Sequence, residues 1–494
     1  MKKEHTWLLL ILVVGILFRF YRFSSPIADW HSWRQADTSS VSRIYSEQGF
    51  DLLHPRFHDL SNVPSGLDNP QGYRFVEFPL YNILQAGFYG IFGVLTLEEW
   101  GRIVTIMASS ISALLIFLIV RKHAESNVAL GSAFFFAILP YSIYYGRVIL
   151  PDPLMVTTTL SAIYFFDRWL LEKTEDKTLQ SKNFAKIYSP GFFLLSVISA
   201  AAALLLKPFA AFFFLPIVVL AFNAFGLRLL RRWQLYVYTL VAFLPLLSWR
   251  WWMLRFPEGI PVSDWLFNGG NIRFKGAFFY WIFGDHLGKE MLGFAGYTLL
   301  LLGIMVVASS VFMRREKSQR FFLSFLVASL LYVFVVARGN VQHDYYQIPL
   351  LPTVAIFFGF GAAFLYKPVS GINRVGGMTV LLFSVAFSFF LSWYTVRDFF
   401  NINNPNIVTA GEMVDRLTPK DAKILTFYNG DTSFLYQTKR QGWASLEKPL
   451  LEMIQMGAQY VAIVNPTQQD VDGLGNEYQI VASDPKFLII KLTK

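Results

Sequence analysis

Cysteine is absent from the chain, which excludes a disulfide framework, thiol chemistry and any cysteine-ligated metal site. Charge is scarce as well: 15% of the residues are Asp, Glu, Lys or Arg, against roughly 25% in an ordinary soluble domain. Internal repeats and low-complexity stretches are lacking, and so is a small-x-small cleavage pattern after the apolar N-terminal stretch. That stretch, MKKEHTWLLLILVVGILF followed by Arg19-Phe20-Tyr21-Arg22, therefore reads as an uncleaved signal-anchor helix.

What is abundant is apolar sequence. Hydrophobic residues make up 54% of the 494 positions, and they are clumped. Runs such as 190–206 and 295–312 approach the roughly 20 residues a bilayer requires, without the alternating faces of a soluble helix. The expected fold is mostly α and polytopic, with about 11–13 transmembrane helices. Spans are placed at 6–23, 102–120, 128–146, 153–171, 190–206, 208–225, 235–254, 292–312, 321–337, 347–366 and 376–395. The net charge of +10 does not point to nucleic acid, because the Lys and Arg residues sit mainly in short loops between apolar segments. The basic loops Arg121-Lys122-His123, 172–187, 226–234, 313–320 and 367–374 are expected to be cytoplasmic. Loop 24–101, the turn from Arg147 to Pro153, and loops 255–291 and 338–346 then lie outside, with the tail after 397. Segment 79–95 is apolar enough to span, but a crossing there would invert every later loop. It is expected to lie on or dip into the outer interface.

Two domains follow: a transmembrane unit over 1–396, including the first outer loop 24–101 with its interfacial helices, and a small extracytoplasmic α/β domain over 397–494. In the latter Ala422–Tyr428, Tyr460–Val464 and Phe487–Leu492 read as strands and Ser445–Met456 as a helix.

Polar residues gather on the outer side. Ala28–Tyr45 places Asp29, His31, Arg34, Gln35 and Asp37 within nine residues, flanked by Trp30 and Trp33. Helix capping by Asp37-Thr38-Ser39-Ser40 accounts for one such residue, not for two carboxylates, a His and an Arg. The aromatics suit a sugar face or an interfacial belt. Further along come Arg74 and Glu77; Arg147 and Asp152 in a proline-broken turn; Lys207-Pro208 between two apolar spans; and His343 with Tyr345 and Tyr346. Each has a plain alternative: a helix-start charge, an Arg–Asp pair pinning a helix end, a snorkelling lysine, interfacial tyrosines. Together they bring carboxylates and cations to one membrane face. That arrangement fits transfer away from a phosphate leaving group: a carboxylate takes the acceptor proton while Arg147, Lys207 and His343 hold the phosphate. A transporter or flippase of lipid-linked sugars is the alternative, disfavoured by the missing repeat symmetry.

The ordered blocks — the acidic outer loop, Glu77-Phe78-Pro79-Leu80-Tyr81, Arg147 through Pro153, Lys207-Pro208, and His343 through Pro352 — resemble the GT-C superfamily of membrane glycosyltransferases. The likeness is to bacterial family 39-like enzymes, which include protein O-mannosyltransferases and the lipid A aminoarabinose transferase, and it covers roughly residues 7–370. It implies an inverting transfer from a polyprenyl-phosphate sugar to a lipid, glycan or protein acceptor, outside a bacterial inner membrane. In the family a carboxylate opening the first outer loop is the base. By distance to Gly49, Arg34-Gln35 occupy the positions of the usual Asp-Glu pair, which leaves Asp37 as first choice and Asp29 as second. Asp152 matches the second acidic position, which orients the acceptor or helps hold a metal. The resemblance implies that His31, Arg34, Gln35, Arg74, Glu77, Tyr81, Arg147, Lys207, His343, Tyr345 and Tyr346 bind substrate. No certain cofactor or metal ligand set is read from the sequence, and a divalent metal is left open.

Overall fold

The computed structural model describes residues 3–175, 185–314, 316–367 and 373–492. Parts of the basic loops expected at 172–187, 313–320 and 367–374 fall outside these residues.

Helices dominate. The first four are α1 (Lys3–Arg19), α2 (Ser32–Gln48), α3 (Leu80–Phe92) and α4 (Leu97–His123). All eleven expected spans are wholly or largely helical, but prolines break several of them. The segment expected at 128–146 is two helices, Ser126–Ile138 and Pro140–Tyr145. The one at 208–225 begins with a 3-10 stretch, Pro208–Phe214, before Leu215–Phe225. Among the described residues, five helical segments are by length and composition long and apolar enough to cross a membrane: Leu97–His123, Pro208–Arg231, Ser318–Val335, Asp344–Tyr366 and Arg374–Phe400. Three shorter apolar helices join them, Ser126–Ile138, Pro190–Leu206 and Tyr297–Phe312. The chain is an integral membrane protein.

Local chemistry explains the ends. In α4, Thr96 and Glu99 form a capping box and Arg121, Lys122 and His123 occupy the last turn, where cations oppose the helix dipole. Its 27 residues reach about 40 Å, enough to cross a bilayer. With 13 residues, α3 reaches only about 20 Å, short of the roughly 30 Å hydrocarbon core. Pro140 has no N–H to give, so carbonyls near the helix break need other donors. Ser142 Oγ donates to Phe136 O at 2.5 Å, and Arg19 donates to Ala137 O at 2.7 Å and Ser142 O at 3.1 Å. Arg19, at the end of α1, is thus buried as backbone support.

Small residues let the central helices touch. A Cβ added at Gly359 would stand 2.2 Å from Ser132 Oγ, one at Gly303 1.9 Å from Phe357 O, and one at Gly361 2.1 Å from Leu299 O. Helices Ser126–Ile138, Tyr297–Phe312 and Leu351–Tyr366 therefore pack backbone to backbone, the small-residue interface common in membranes.

Beyond residue 400 the chain forms a five-stranded sheet in the order β2-β1-β3-β5-β4. The strands are β1 (Ile424–Phe427), β2 (Gly442–Trp443), β3 (Tyr460–Val464), β4 (Gln479–Asp484) and β5 (Phe487–Lys491). β1 runs parallel to β2 and β3, while β5 is antiparallel to β3 and β4. Alternating residues build a core on each face. Ile424, Ala462 and Ile489 pack with Ile407, Val414 and Phe434, whereas Leu425, Val461 and Leu488 pack with Trp443 and Met453. The helix expected over 445–456 shortens to Leu450–Gln455, behind Pro449. The loop after α1 and α2 extends the sheet at its β2 edge: Leu60 N donates to Gly442 O at 2.7 Å, and Gly442 N to His58 O at 3.0 Å.

Candidate active site

Helix α2 carries the first polar cluster, and it is buried although most of its residues are polar. Buried polar groups need partners, and most of these have one. Arg34 Nη2 donates to Glu77 Oε1 at 2.6 Å. Asn82 Nδ2 donates to Thr38 O at 2.6 Å. Ser39 meets Tyr436 at 2.9 Å, Ser42 donates to Gln85 at 2.8 Å, and Arg43 donates to Glu98 at 2.8 Å. Ser40 bonds His58. The helix starts at Ser32 behind His31, whose φ of 53° is left-handed. Asp37 through Ser40 consequently lie inside the helix, not at a cap.

Asp37 opens into a cavity of about 730 Å³. Its lining includes four cations, Arg34, Arg74, Lys207 and Arg250, and a set of apolar and aromatic side chains, Trp33, Phe75, Phe209, Val262, Trp265 and Leu266. His343, Tyr345, Tyr346 and Glu77 line it too, and Asn429 through Thr432 close it from the C-terminal unit. Three of the four cations are matched with carboxylates: Arg74 donates to Asp37 Oδ2 at 2.5 Å, Arg34 binds Glu77, and Lys207 lies 3.6 Å from Asp152. Thr432 Oγ1 donates to the other oxygen of Asp37 at 2.7 Å. Arg74 Nε, Glu77 Oε2 and Asp152 Oδ2 are buried and without a hydrogen-bond partner.

The remaining residues singled out from the sequence stand behind this wall. Asp29 pairs with Arg147 at 3.1 Å, both side chains 1% exposed, and accepts from Gln35 at 2.7 Å. Arg147 therefore does not pair with Asp152 and does not face the cavity. His31 Nε2 lies 2.5 Å from Asp344 Oδ1, and Asp344 also accepts from Trp30 at 2.8 Å and Tyr145 at 2.7 Å. Tyr81 donates to Gly101 O at 2.6 Å. His31, Gln35, Tyr81, Arg147 and Asp29 thus brace the site without lining it.

Sequence reasoning missed Arg250, Trp265, Asp59, Asp431 and Thr432. Arg250 sits in the last turn of an apolar helix, Trp233–Met253, and its interruption of that pattern was a usable signal. Thr432 follows Asp431, whose side chain caps helix Thr432–Thr438 by accepting from Ser433 N; nothing local reveals that this helix end meets Asp37.

Electrostatics follow from burial and pairing. Burial pushes the Glu77 carboxyl up, but Arg34 and Lys207 overcome it and hold it below the usual carboxylate range. Burial raises Asp59 to about 6 against the hydrogen bonds from Ser61, which pull it down. Burial, with His31 adjacent, pushes His343 down to about 4, so at neutral pH it is an uncharged hydrogen-bonding group beside the cations. Asp152, singled out from the sequence, does not line the cavity itself; it stands 3.6 Å from Lys207, which does. Among the described residues, the side chains with metal-ligand spacing are Asp285, His286 and Glu290, none of which lines the cavity.

The multi-helix membrane unit, the buried polar helix and the C-terminal sheet together make the GT-C fold of integral-membrane glycosyltransferases. Residues 70–252 match the model of the dolichyl-phosphate-mannose-protein mannosyltransferase family, a stretch that holds Glu77, Asp152, Lys207 and Arg250 but neither Asp37 nor His343. The structure is similar to that of ArnT from Cupriavidus metallidurans in the apo state, with 13% identity, a TM-score of 0.61, and 99% of this chain and 98% of that one covered. The same protein bound to undecaprenyl phosphate gives 14% identity, a TM-score of 0.60 and 98% coverage of both chains. The archaeal oligosaccharyltransferase AglB from Archaeoglobus fulgidus, in complex with an inhibitory peptide and a dolichol-phosphate, gives 12% identity and a TM-score of 0.58, over 94% of this chain and 70% of that one. No curated protein matches the sequence.

Proposed function

We propose that this chain is an inverting glycosyltransferase that moves a sugar from a polyprenyl-phosphate donor to a lipid, glycan or protein acceptor. The observation that carries the reading is that one cavity is lined by Asp37, four cations and a set of apolar side chains. Asp37 takes the proton of the acceptor hydroxyl as its oxygen attacks C1 of the sugar. On the opposite face the C1–O bond to phosphate breaks, and the electron pair leaves with the polyprenyl phosphate. Arg34, Lys207 and Arg250 stabilise that charge, Arg74 holds the base, neutral His343 adds a hydrogen bond, and the lipid lies along the apolar side chains. Glu77 and Asp152 keep the cations placed. The site faces outside a bacterial inner membrane, with residues 1–396 as the membrane-embedded catalytic domain and 397–494 as an extracytoplasmic domain completing the wall. ArnT with its bound undecaprenyl phosphate and AglB with its dolichol-phosphate support a lipid-phosphate donor.

The test is turnover by purified protein in nanodiscs with a panel of radiolabelled polyprenyl-phosphate sugars. Saturable transfer or slow release of one sugar is expected, and Asp37→Asn should lower it by about 10²–10⁴-fold with donor binding kept. Asp29→Asn should instead lower thermal stability, because it breaks a buried pair with Arg147. Full activity in Asp37→Asn would remove it as base. Binding without turnover, together with movement of labelled lipid between leaflets, would replace the transferase reading with a flippase.

A further inference from the structure

Helix 280–291, in the loop between two apolar segments, is hydrogen-bonded from i to i+5 over twelve residues. Such π geometry is rare and gathers at functional positions. Here its wider turn brings Asp285, His286 and Glu290 together, with one ligand atom from each lying within 4.8 Å of the others. His286 Nδ1 is 3.3 Å from Glu290 Oε1 and 3.7 Å from Asp285 Oδ2. Two ligands of a tetrahedral zinc, each at about 2.0–2.1 Å from the ion, stand roughly 3.3 Å apart, so these are close to the edges of such a site.

Two further observations point to an ion. His286 Nε2 lies 3.3 Å from Val341 O. A carbonyl only accepts, so Nε2 carries a proton and Nδ1 faces two carboxylates. This is the way metal-bound histidines are oriented by a backbone carbonyl behind them. Glu290, whose side chain is 8% exposed, also has an Oε2 that is buried with no hydrogen-bond partner. A second proton on His286 would answer the first carboxylate contact and leave that oxygen orphaned; a divalent ion satisfies both. Lys289 Nζ, 3.8 Å from Asp285 Oδ1 and half exposed, is free to turn toward solvent.

We propose that Asp285, His286 and Glu290 bind one divalent transition-metal ion of the zinc class, with water completing the shell. The imidazole couples this ion to the Val341 carbonyl, two residues before His343, so the metal anchors the loop that brings His343, Tyr345 and Tyr346 to the cavity. It is a structural ion, separate from the transfer chemistry, and does not depend on the function proposed above.

The test uses full-length protein in detergent, stripped with chelator and desalted after adding zinc. Wild type should retain one equivalent by elemental analysis, and Glu290→Gln and His286→Gln less than a tenth of that. Zinc should raise the Tm of wild type and not of either variant. Cobalt substitution in wild type alone should give the intense visible absorption of a tetrahedral ion, a readout independent of whether the variants fold. Equal zinc retention in wild type and both variants, or wild type with neither retained zinc nor the cobalt band, would overturn the proposal.

Discussion

Asp29 and Asp37 are the same residue type eight positions apart, and their surroundings separate them. Asp29 is enclosed with Arg147 and Gln35; Asp37 stands on the cavity wall between Arg74 and Thr432. His343 shows the same dependence on surroundings. The sequence reading gives it a share of the phosphate's charge, but burial holds its pKa at about 4, below the ordinary value of about 6.5. Between pH 4 and 6.5 the unfolded chain binds a proton at this residue and the folded chain does not. Stability therefore rises with pH through that window and falls on acidification. In thermal melts across it, His343→Gln should show a smaller acid-side loss than wild type, by at most about 3 kcal/mol. An identical pH slope in the variant would mean that His343 titrates normally.

Elements decide what single residues can reach. α2 reads as a surface helix by composition, yet it is inside, because α3, the 58–77 loop and helix Thr432–Thr438 each supply matching polar groups. The bond from Thr432 to Asp37 makes the start of that last helix part of the site. Thr432 acts as a positioning residue: it holds one carboxylate oxygen while Arg74 holds the other. Hydrogen bonds to charged groups contribute about 1.5–3 kcal/mol, so Thr432→Val should lower kcat by roughly 10–100-fold with donor KM unchanged. Thr432→Ser should restore most of it. A KM effect with kcat intact would assign Thr432 to binding instead.

At the scale of the whole molecule, the membrane helices, the loop at 57–77 and the C-terminal residues Asn429–Thr432 close around one cavity. The basic end of α4 and the loop at Asn429–Asp431 are expected on opposite sides of the membrane, by the rule that places Lys and Arg in cytoplasmic loops. Reporter fusions at Lys122 and Gly430 should read cytoplasm and outside, respectively. A cytoplasmic signal at Gly430 would put the cavity on the wrong face for the proposed reaction.

The membrane class and the helical runs were legible in the sequence because bilayer thickness acts on local hydropathy, which a short window records. Strands β1, β3 and β5 were legible for a similar reason, as short β-branched runs. Asp37, Arg34, Arg74, Glu77, Lys207 and His343 could be singled out because a charge beside an apolar span is costly without a purpose. Which of them share a wall was decided by tertiary structure alone. Arg147 turns to Asp29 instead of Asp152, Lys207 takes Asp152, and Thr432 arrives from 395 residues away. Ion pairs and hydrogen bonds act over a few ångströms of space, and separation along the chain does not encode that distance. The grouping of Asp285, His286 and Glu290 was hidden for a different reason: an α-helix already pairs His286 with Glu290 but turns Asp285 away, and only π winding gathers all three.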